Sequence, residues 1–305
     1  MKYAFLFFTC FAYSLSAHAQ GGKEAFKVLA TKGNNTVVQS GESSATPLVI
    51  GAKVFDQQII HIADGGYLSM IHATGKSIEL KKAGAYPVKD LVAQAGQATA
   101  GLASKYANFV IGELTRNDLD INKEHRKNMT VTGSVERSTG AHALAVSVPR
   151  SLVILRNQLT VNLASNEANG SFTYTLMNMF EETLATGSFK GNSLTVTLPD
   201  SREVTDQGVL LVIKDAVNSS RSSKAINISM TNEQARKNIE QEIKQLSAEL
   251  SEENAVNKLV MSSYFEEKRL FVEAEQHLKD AVSMAPDVEA YSMALRQFYK
   301  RNGIE

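Results

Sequence analysis

The sequence predicts a multidomain α+β protein. Three observations carry that prediction. Short β-rich runs punctuated by glycine extend from Phe26 to Leu91, a second set of alternating runs spans Ala143 to Met230, and at Thr231 the pattern changes to helical spacing that lasts to the end of the chain. A length of 305 residues agrees, because a single core rarely grows past roughly 250 residues. Hydrophobic content of 43% and charged content of 21% describe a globular chain, not a disordered one. The balance of 32 basic against 32 acidic residues argues against a nucleic-acid partner, which clustered Lys and Arg would favour. One Cys rules out a disulfide scaffold or a Cys-rich zinc module.

Residues 1–19 have the three-part pattern of a secretory signal. Lys2 is the basic residue, Tyr3 to Leu15 the apolar stretch, and Ala17-His18-Ala19 the small-residue cleavage site before Gln20. The apolar stretch is short against the ~20 residues a membrane span needs. Cleavage would remove Cys10 and leave an exported, thiol-free chain with no transmembrane span, the periplasm being its expected location.

Residues 20–114 read as a β domain followed by a helix. The strand candidates are Phe26–Thr31, Thr36–Gln39, Leu48–Ile50, Gln58–Ile62, Tyr67–His72 and Ser77–Leu80, with the sharpest turns at Asp64-Gly65 and Thr74-Gly75. In Tyr67–His72 both alternating sets are partly apolar, which predicts a strand covered on both faces. Asp90 to Leu114 reads as one helix, weakened by Gly96 and Gly101, that covers an open face or edge of the sheet. Residues 115–140 are polar and of mixed charge and read as a linker.

The order Gly33-x-x-x-Val37, Pro47-Leu48-x-x-Gly51-x-x-Val54, Ile59-Ile60, Tyr67-Leu68-Ser69-Met70 and Gly75-Lys76-Ser77-Ile78-Glu79-Leu80 resembles a FecR-type periplasmic domain over about 65 residues. The resemblance implies a small β domain that mediates protein contacts in the bacterial envelope. The membrane-crossing signalling role of the ferric dicitrate regulator is not implied, since no such span follows.

Residues 141–230 hold about seven strand candidates: Leu144–Val148, Leu152–Leu155, Leu159–Leu163, Phe172–Asn178, Leu194–Leu198, Val209–Lys214 and Ile226–Met230. Their spacing predicts an antiparallel β-sandwich of immunoglobulin-like architecture, without the Cys and Trp core of antibody domains. Sugar-binding modules use similar sandwiches. Tyr174 and Phe180 are the aromatic residues that a glycan platform would need, although burial fits them better.

Residues 231–305 read as a helical hairpin or bundle with 10 basic and 14 acidic side chains. Thr231-x-x-Gln234 has the form of a capping box, and Ile239, Ile243, Leu246 and Leu250 line one helix face. Residues 255–288 resemble one tetratricopeptide repeat. Met261, Ser262, Phe265, Ala274, Leu278, Ala281 and Pro286 stand at its characteristic positions, and Lys258 and Arg269 depart from it. The resemblance implies that Val256, Leu259, Ser263 and Glu266 face a bound protein partner. Packing of Val256 and Leu259 on the 231–250 helix is an equal alternative. Since one repeat cannot bury its own face, the tail closes a bundle with its flanking helices, forms a homodimer, or docks on another protein.

No catalytic motif, metal-ligand cluster or cofactor-binding loop stands out. Of the histidines beyond the signal, His61 and His72 lie on nearby strands, while His125, His142 and His277 stand alone, His277 being expected on an exposed helix face. The pair Glu181-Glu182 is expected on a strand, where its side chains would diverge. The expectation is a non-enzymatic protein-interaction or scaffold module of the envelope, accessory to a membrane sensor or transport system. The alternative is an envelope glycan-binding protein or hydrolase accessory.

Overall fold

The computed structural model describes residues 22–41, 44–95, 101–115, 144–163, 167, 169–199, 207–250 and 252–304. The expected signal segment, His125, His142 and all but the first residue of the expected linker lie outside the described residues. The fold is mixed α+β, with antiparallel sheets followed by a C-terminal helical region.

The first unit is a pair of facing sheets. β1 (Glu24–Lys32), β4 (Lys53–Phe55), β6 (Tyr67–His72) and β7 (Ser77–Leu80) form one in the order β4-β1-β6-β7. β2 (Thr36–Gln39), β3 (Ala45–Pro47), β5 (Gln58–Ile62) and β8 (Gly84–Pro87) form the other in the order β3-β2-β5-β8. Phe26, Val28, Leu68 and Met70 meet Val37 and Ile60 in the core between them. On β6, Tyr67 and Ile71 point the other way into a second core, so the strand is covered on both faces as its composition predicts. Leu48–Ile50 is not a strand. Pro47 ends the β3 ladder because it has no N–H to donate, and the chain turns, with the Leu48 N–H donating to the Asn35 carbonyl at 2.9 Å.

The expected helix over Asp90–Leu114 is two helices with different jobs. α1 (Val88–Ala95) buries Val88, Leu91 and Ala95 in the core of the sandwich. α2 (Leu102–Thr115) buries Ala103, Tyr106, Ala107, Val110 and Leu114 in the second core. Gly75 lets α2 approach the β6–β7 turn. Its φ is +92°, and a Cβ there would stand 2.6 Å from the Ser104 backbone nitrogen.

The middle unit pairs a five-stranded sheet with a two-stranded ladder. β9 (Ser151–Ile154), β11 (Ser171–Met177), β12 (Thr183–Lys190), β14 (Val209–Asp215) and β15 (Ile226–Met230) run in the order β12-β11-β14-β15-β9. β10 (Gln158–Asn162) pairs with β13 (Ser193–Thr197). Two expectations are corrected. The β15–β9 pair is parallel, not antiparallel, and Leu144–Val148 contributes only an isolated bridge from Val146 to Leu163. The sequence predicts no strand at β12, because Thr183–Lys190 offers few large apolar residues.

Four helices complete the chain: α3 (Glu233–Leu250), α4 (Ala255–Glu267), α5 (Phe271–Met284) and α6 (Glu289–Asn302). The N-cap of α3 is Asn232, whose Oδ1 accepts the Ala235 N–H at 2.8 Å. Thr231, expected as the cap, is drawn off to the Ile154 carbonyl, which accepts its N–H at 3.1 Å. Between α4 and α5, Arg269 takes φ +62° where the repeat resemblance leads one to expect Gly. Ala274, Leu278 and Ala281 are buried along α5, as that resemblance implies.

On α5, Glu273 is also largely buried and its Oε2 has no hydrogen-bond partner. Burial raises its pKa above the ordinary carboxylate value, with only partial relief from its own backbone N–H and then from the Arg156 charge. Below the unfolded pKa of about 4.3 the acid is neutral in both states; as pH rises through the folded pKa, ionisation increasingly favours the unfolded chain. Glu273→Gln should therefore raise the unfolding free energy at pH 8 and leave it nearly unchanged at pH 4. Urea melts at the two pH values measure the difference.

Candidate functional site

The four residues implied to face a partner stand together on α4, and the chain itself covers them. Val256, Leu259 and Ser263 are buried, and the Ser263 hydroxyl donates to the Leu259 carbonyl at 3.0 Å. Glu266 accepts from Arg301 Nε at 3.1 Å and Nη2 at 2.9 Å, and from Asn302 Nδ2 at 2.9 Å. α2 contributes to the cover, packing against α4, α3 and α6. Val110, Glu113 and Leu114 of α2 meet Leu259, Glu266, Gln297 and Arg301 around a void of about 30 Å³. The tail is thus completed by its flanking helices and by an element more than 100 residues earlier in the chain. The spacing Ala103, Ala107, Val110, Leu114 signals a helix able to approach others closely, but nothing in it names the surface it covers.

Electrostatics lock α2 at both ends. Arg301 Nη1 lies 2.7 Å from Glu113 Oε2, so the guanidinium bridges α2 and α4. Burial works against the Arg301 charge, but the bonds to Glu266 and the charges of Glu266 and Glu113 hold its pKa above the ordinary value. At the opposite end, Glu249 Oε2 of α3 accepts the Ala103 N–H at 2.8 Å and satisfies one open donor of the first turn of α2. Burial raises the Glu249 pKa, and the bonds from Ala103, Gln245 and Leu102 bring it below the ordinary value.

A second polar seam ties the first β unit to the tail. Tyr67 Oη lies 2.6 Å from Tyr291 Oη and donates to Glu79 Oε1 at 2.7 Å. The same carboxylate oxygen accepts the Ala255 N–H at the start of α4 at 3.1 Å, and Ser77 Oγ donates to Asn257 Oδ1 at 2.7 Å. Burial pushes both tyrosine pKa values far up; for Tyr67 the neighbouring Tyr291 and then Glu79 add to the rise, and for Tyr291 the bonds to Tyr67 and Ser69 offset only part of it, so the phenols stay protonated.

The histidines do not converge. His61 lies on β5 and His72 on β6, in different sheets of the sandwich. His72 Nδ1 is engaged by Thr74 Oγ1 at 2.8 Å. His277 is not on an exposed face but half-buried, stacked on Phe265 with ring centroids 5.1 Å apart; burial, aided by the Lys258 charge, lowers its pKa. Among the described residues no group of three or more His, Cys, Asp and Glu is placed to hold a metal ion. No helix of the described residues is long and apolar enough to cross a membrane.

The feature that sequence reasoning missed is the turn between β11 and β12. Phe180, expected in the core, is 73% exposed, with Met179 at 42% and Leu184 at 37% beside it. Glu181 and Glu182 belong to this turn, not to a strand, and Glu181 takes φ +64°. The turn is built around the buried Asn178. Its Oδ1 accepts the N–H groups of Phe180 and Glu182, each at 2.9 Å, and its Nδ2 donates to Glu182 Oε2 at 2.7 Å. Tyr174, by contrast, is half-buried and lies against Gly187, where a Cβ would stand 2.5 Å from its ring. The signal in the sequence was Asn178-Met179-Phe180-Glu181-Glu182, two large apolar residues between turn-forming and charged ones.

No protein-family model matches the chain, and no curated protein matches it.

Proposed function

We infer that the protein is a non-enzymatic, exported envelope protein that acts as a protein-interaction or scaffold module, accessory to a membrane sensor or transport system. The observation that carries this reading is the Asn178-braced turn that holds Phe180 and Met179 in solvent. A large aromatic on a fixed turn loses little conformational freedom on binding, and such anchors supply most of the energy at protein interfaces. The facing four-stranded sheets support a FecR-type reading of the first unit. The five-plus-two strand arrangement supports an immunoglobulin-like reading of the second, and the α4–α5 hairpin a tetratricopeptide-like reading of the tail. Because α2 fills the face of α4, the partner surface in this reading lies on the middle unit and not on Val256, Leu259, Ser263 and Glu266.

A photo-cross-linking residue at position 179, in cells producing the protein, tests the reading. A discrete adduct with another envelope protein is expected, its yield falling about tenfold on Phe180→Ser. The same residue placed at exposed Val49 on the first unit should give no such adduct. Equal adducts at both positions, or none at 179, would refute it.

A further inference from the structure

The four-stranded sheets of the first unit and the β9 side of the five-stranded sheet have managed edges. In the first unit β3 is three residues long and ends at Pro47, β8 ends at Pro87, and β4 is three residues long and carries the exposed Lys53. β7 is covered by α4, through Ser77 to Asn257 and Glu79 to Ala255. In the five-stranded sheet, β9 is covered by α5 and its preceding turn, where Val153 N–H donates to the Arg269 carbonyl at 3.2 Å. Short strands, proline, lysine and covering helices are the devices that keep edges from pairing with other chains.

β12 has almost none of them. It is eight residues long, contains no proline, and among the described residues pairs only with β11. Its irregularity is confined to the Thr183 end, and from Ala185 to Lys190 the register is continuous. Gly191 N–H donates to the Gly170 carbonyl at 3.0 Å. In an antiparallel ladder hydrogen-bonded and non-bonded pairs alternate. That bond therefore turns the backbone groups of Ala185, Gly187 and Phe189 toward β11, and those of Thr186, Ser188 and Lys190 outward.

We propose that this outward row pairs with the same row of a second copy, antiparallel about a two-fold axis at Thr186, joining two five-stranded sheets into one of ten. Charge complementarity selects the occupant. The free edge has acidic Glu181 and Glu182 at one end and Lys190 at the other, with only uncharged residues between. A two-fold at Thr186 brings Lys190 of each copy to the acidic end of the other and sets Ser188 beside Leu184. A parallel copy would stack like charges at both ends. The inference needs only the strand edge and does not depend on the partner assigned to Phe180.

Sedimentation velocity on the purified protein reads the outcome. A concentration-dependent monomer–dimer equilibrium in the micromolar range is expected, since one strand pair buries less than a standard interface. Lys190→Glu should weaken the dimer about tenfold, and Glu181→Lys combined with Lys190→Glu should restore it; Glu182 is left intact because it braces Asn178. Thr186→Pro, which removes an outward N–H, should be monomeric throughout. Circular dichroism of all variants should match the parent, and the Lys190 and Glu181 substitutions stand as the test if Thr186→Pro fails to fold. Any of three results overturns the proposal: a parent that stays monomeric, including one that instead takes up an unrelated extended peptide; a dimer indifferent to Lys190→Glu; or a double variant that does not recover.

Discussion

Arg301→Ala is expected to lower the unfolding free energy by about 3–5 kcal/mol, the range for removing one partner of a buried ion pair. The size follows from what is left behind. Glu113 and Glu266 approach the guanidinium from α2 and α4, and both carboxylates are mostly withdrawn from water. Without Arg301 they become two uncompensated like charges on facing helices. Neutralising them should recover over half of the loss, so Arg301→Met combined with Glu113→Gln and Glu266→Gln should be far more stable than Arg301→Ala alone. Urea unfolding at constant m-value measures both. A loss below about 1 kcal/mol for Arg301→Ala, the level of an exposed pair, would mean that the guanidinium does not lock α2.

Gly75→Ala should cost about 2–5 kcal/mol. Its left-handed backbone accounts for roughly 1–2 kcal/mol with a Cβ present, and forced overpacking adds roughly 1–3. The atoms in the way are the Ser104 nitrogen and the Ala103 Cβ at 2.7 Å, so α2 itself must shift. Gly65→Ala separates the two contributions. Gly65 also has positive φ, at +65°, but nothing lies within 4 Å of the added Cβ, so only the backbone cost should appear. The expected signature is a larger loss at Gly75 together with faster proteolytic cleavage near α2. Equal losses at the two glycines would remove the close approach from the explanation.

The sequence made local structure legible where one periodicity and one turn signal coincided. β5, β6 and β7 lie where Gln58–Ile62, Tyr67–His72 and Ser77–Leu80 place them, with Gly65 and Gly75 in left-handed turns. The helices of the tail were readable for the same reason, since Ile239, Leu246 and Leu250 fall on one buried face. What periodicity does not carry is the identity of the surface on the other side. The apolar positions of α2 announced burial but not burial against α4 and α6. The residues implied to bind a partner were therefore covered from within. β12 leaves little trace in the sequence because an edge strand needs few apolar side chains, its pairing residing in the backbone. Phe180 reads as a core residue because aromatics usually are buried, and the local Asn178 bonds that hold it outward fix a geometry that residue type alone does not specify.

The cap that Glu249 places on α2 also orders events in time. Residues 102–115 emerge from the ribosome well before residues 231–302, yet the carboxylate that closes their first turn, the arginine that closes their last, and most of their cover belong to that later stretch. An isolated helix of 14 residues is marginal in water. Until the C-terminal helices arrive, Tyr106, Val110 and Leu114 lack most of their cover and stay exposed. Contacts of such sequence separation also slow folding. The rate-limiting step of folding should therefore be the docking of the tail onto a segment more than 100 residues before it.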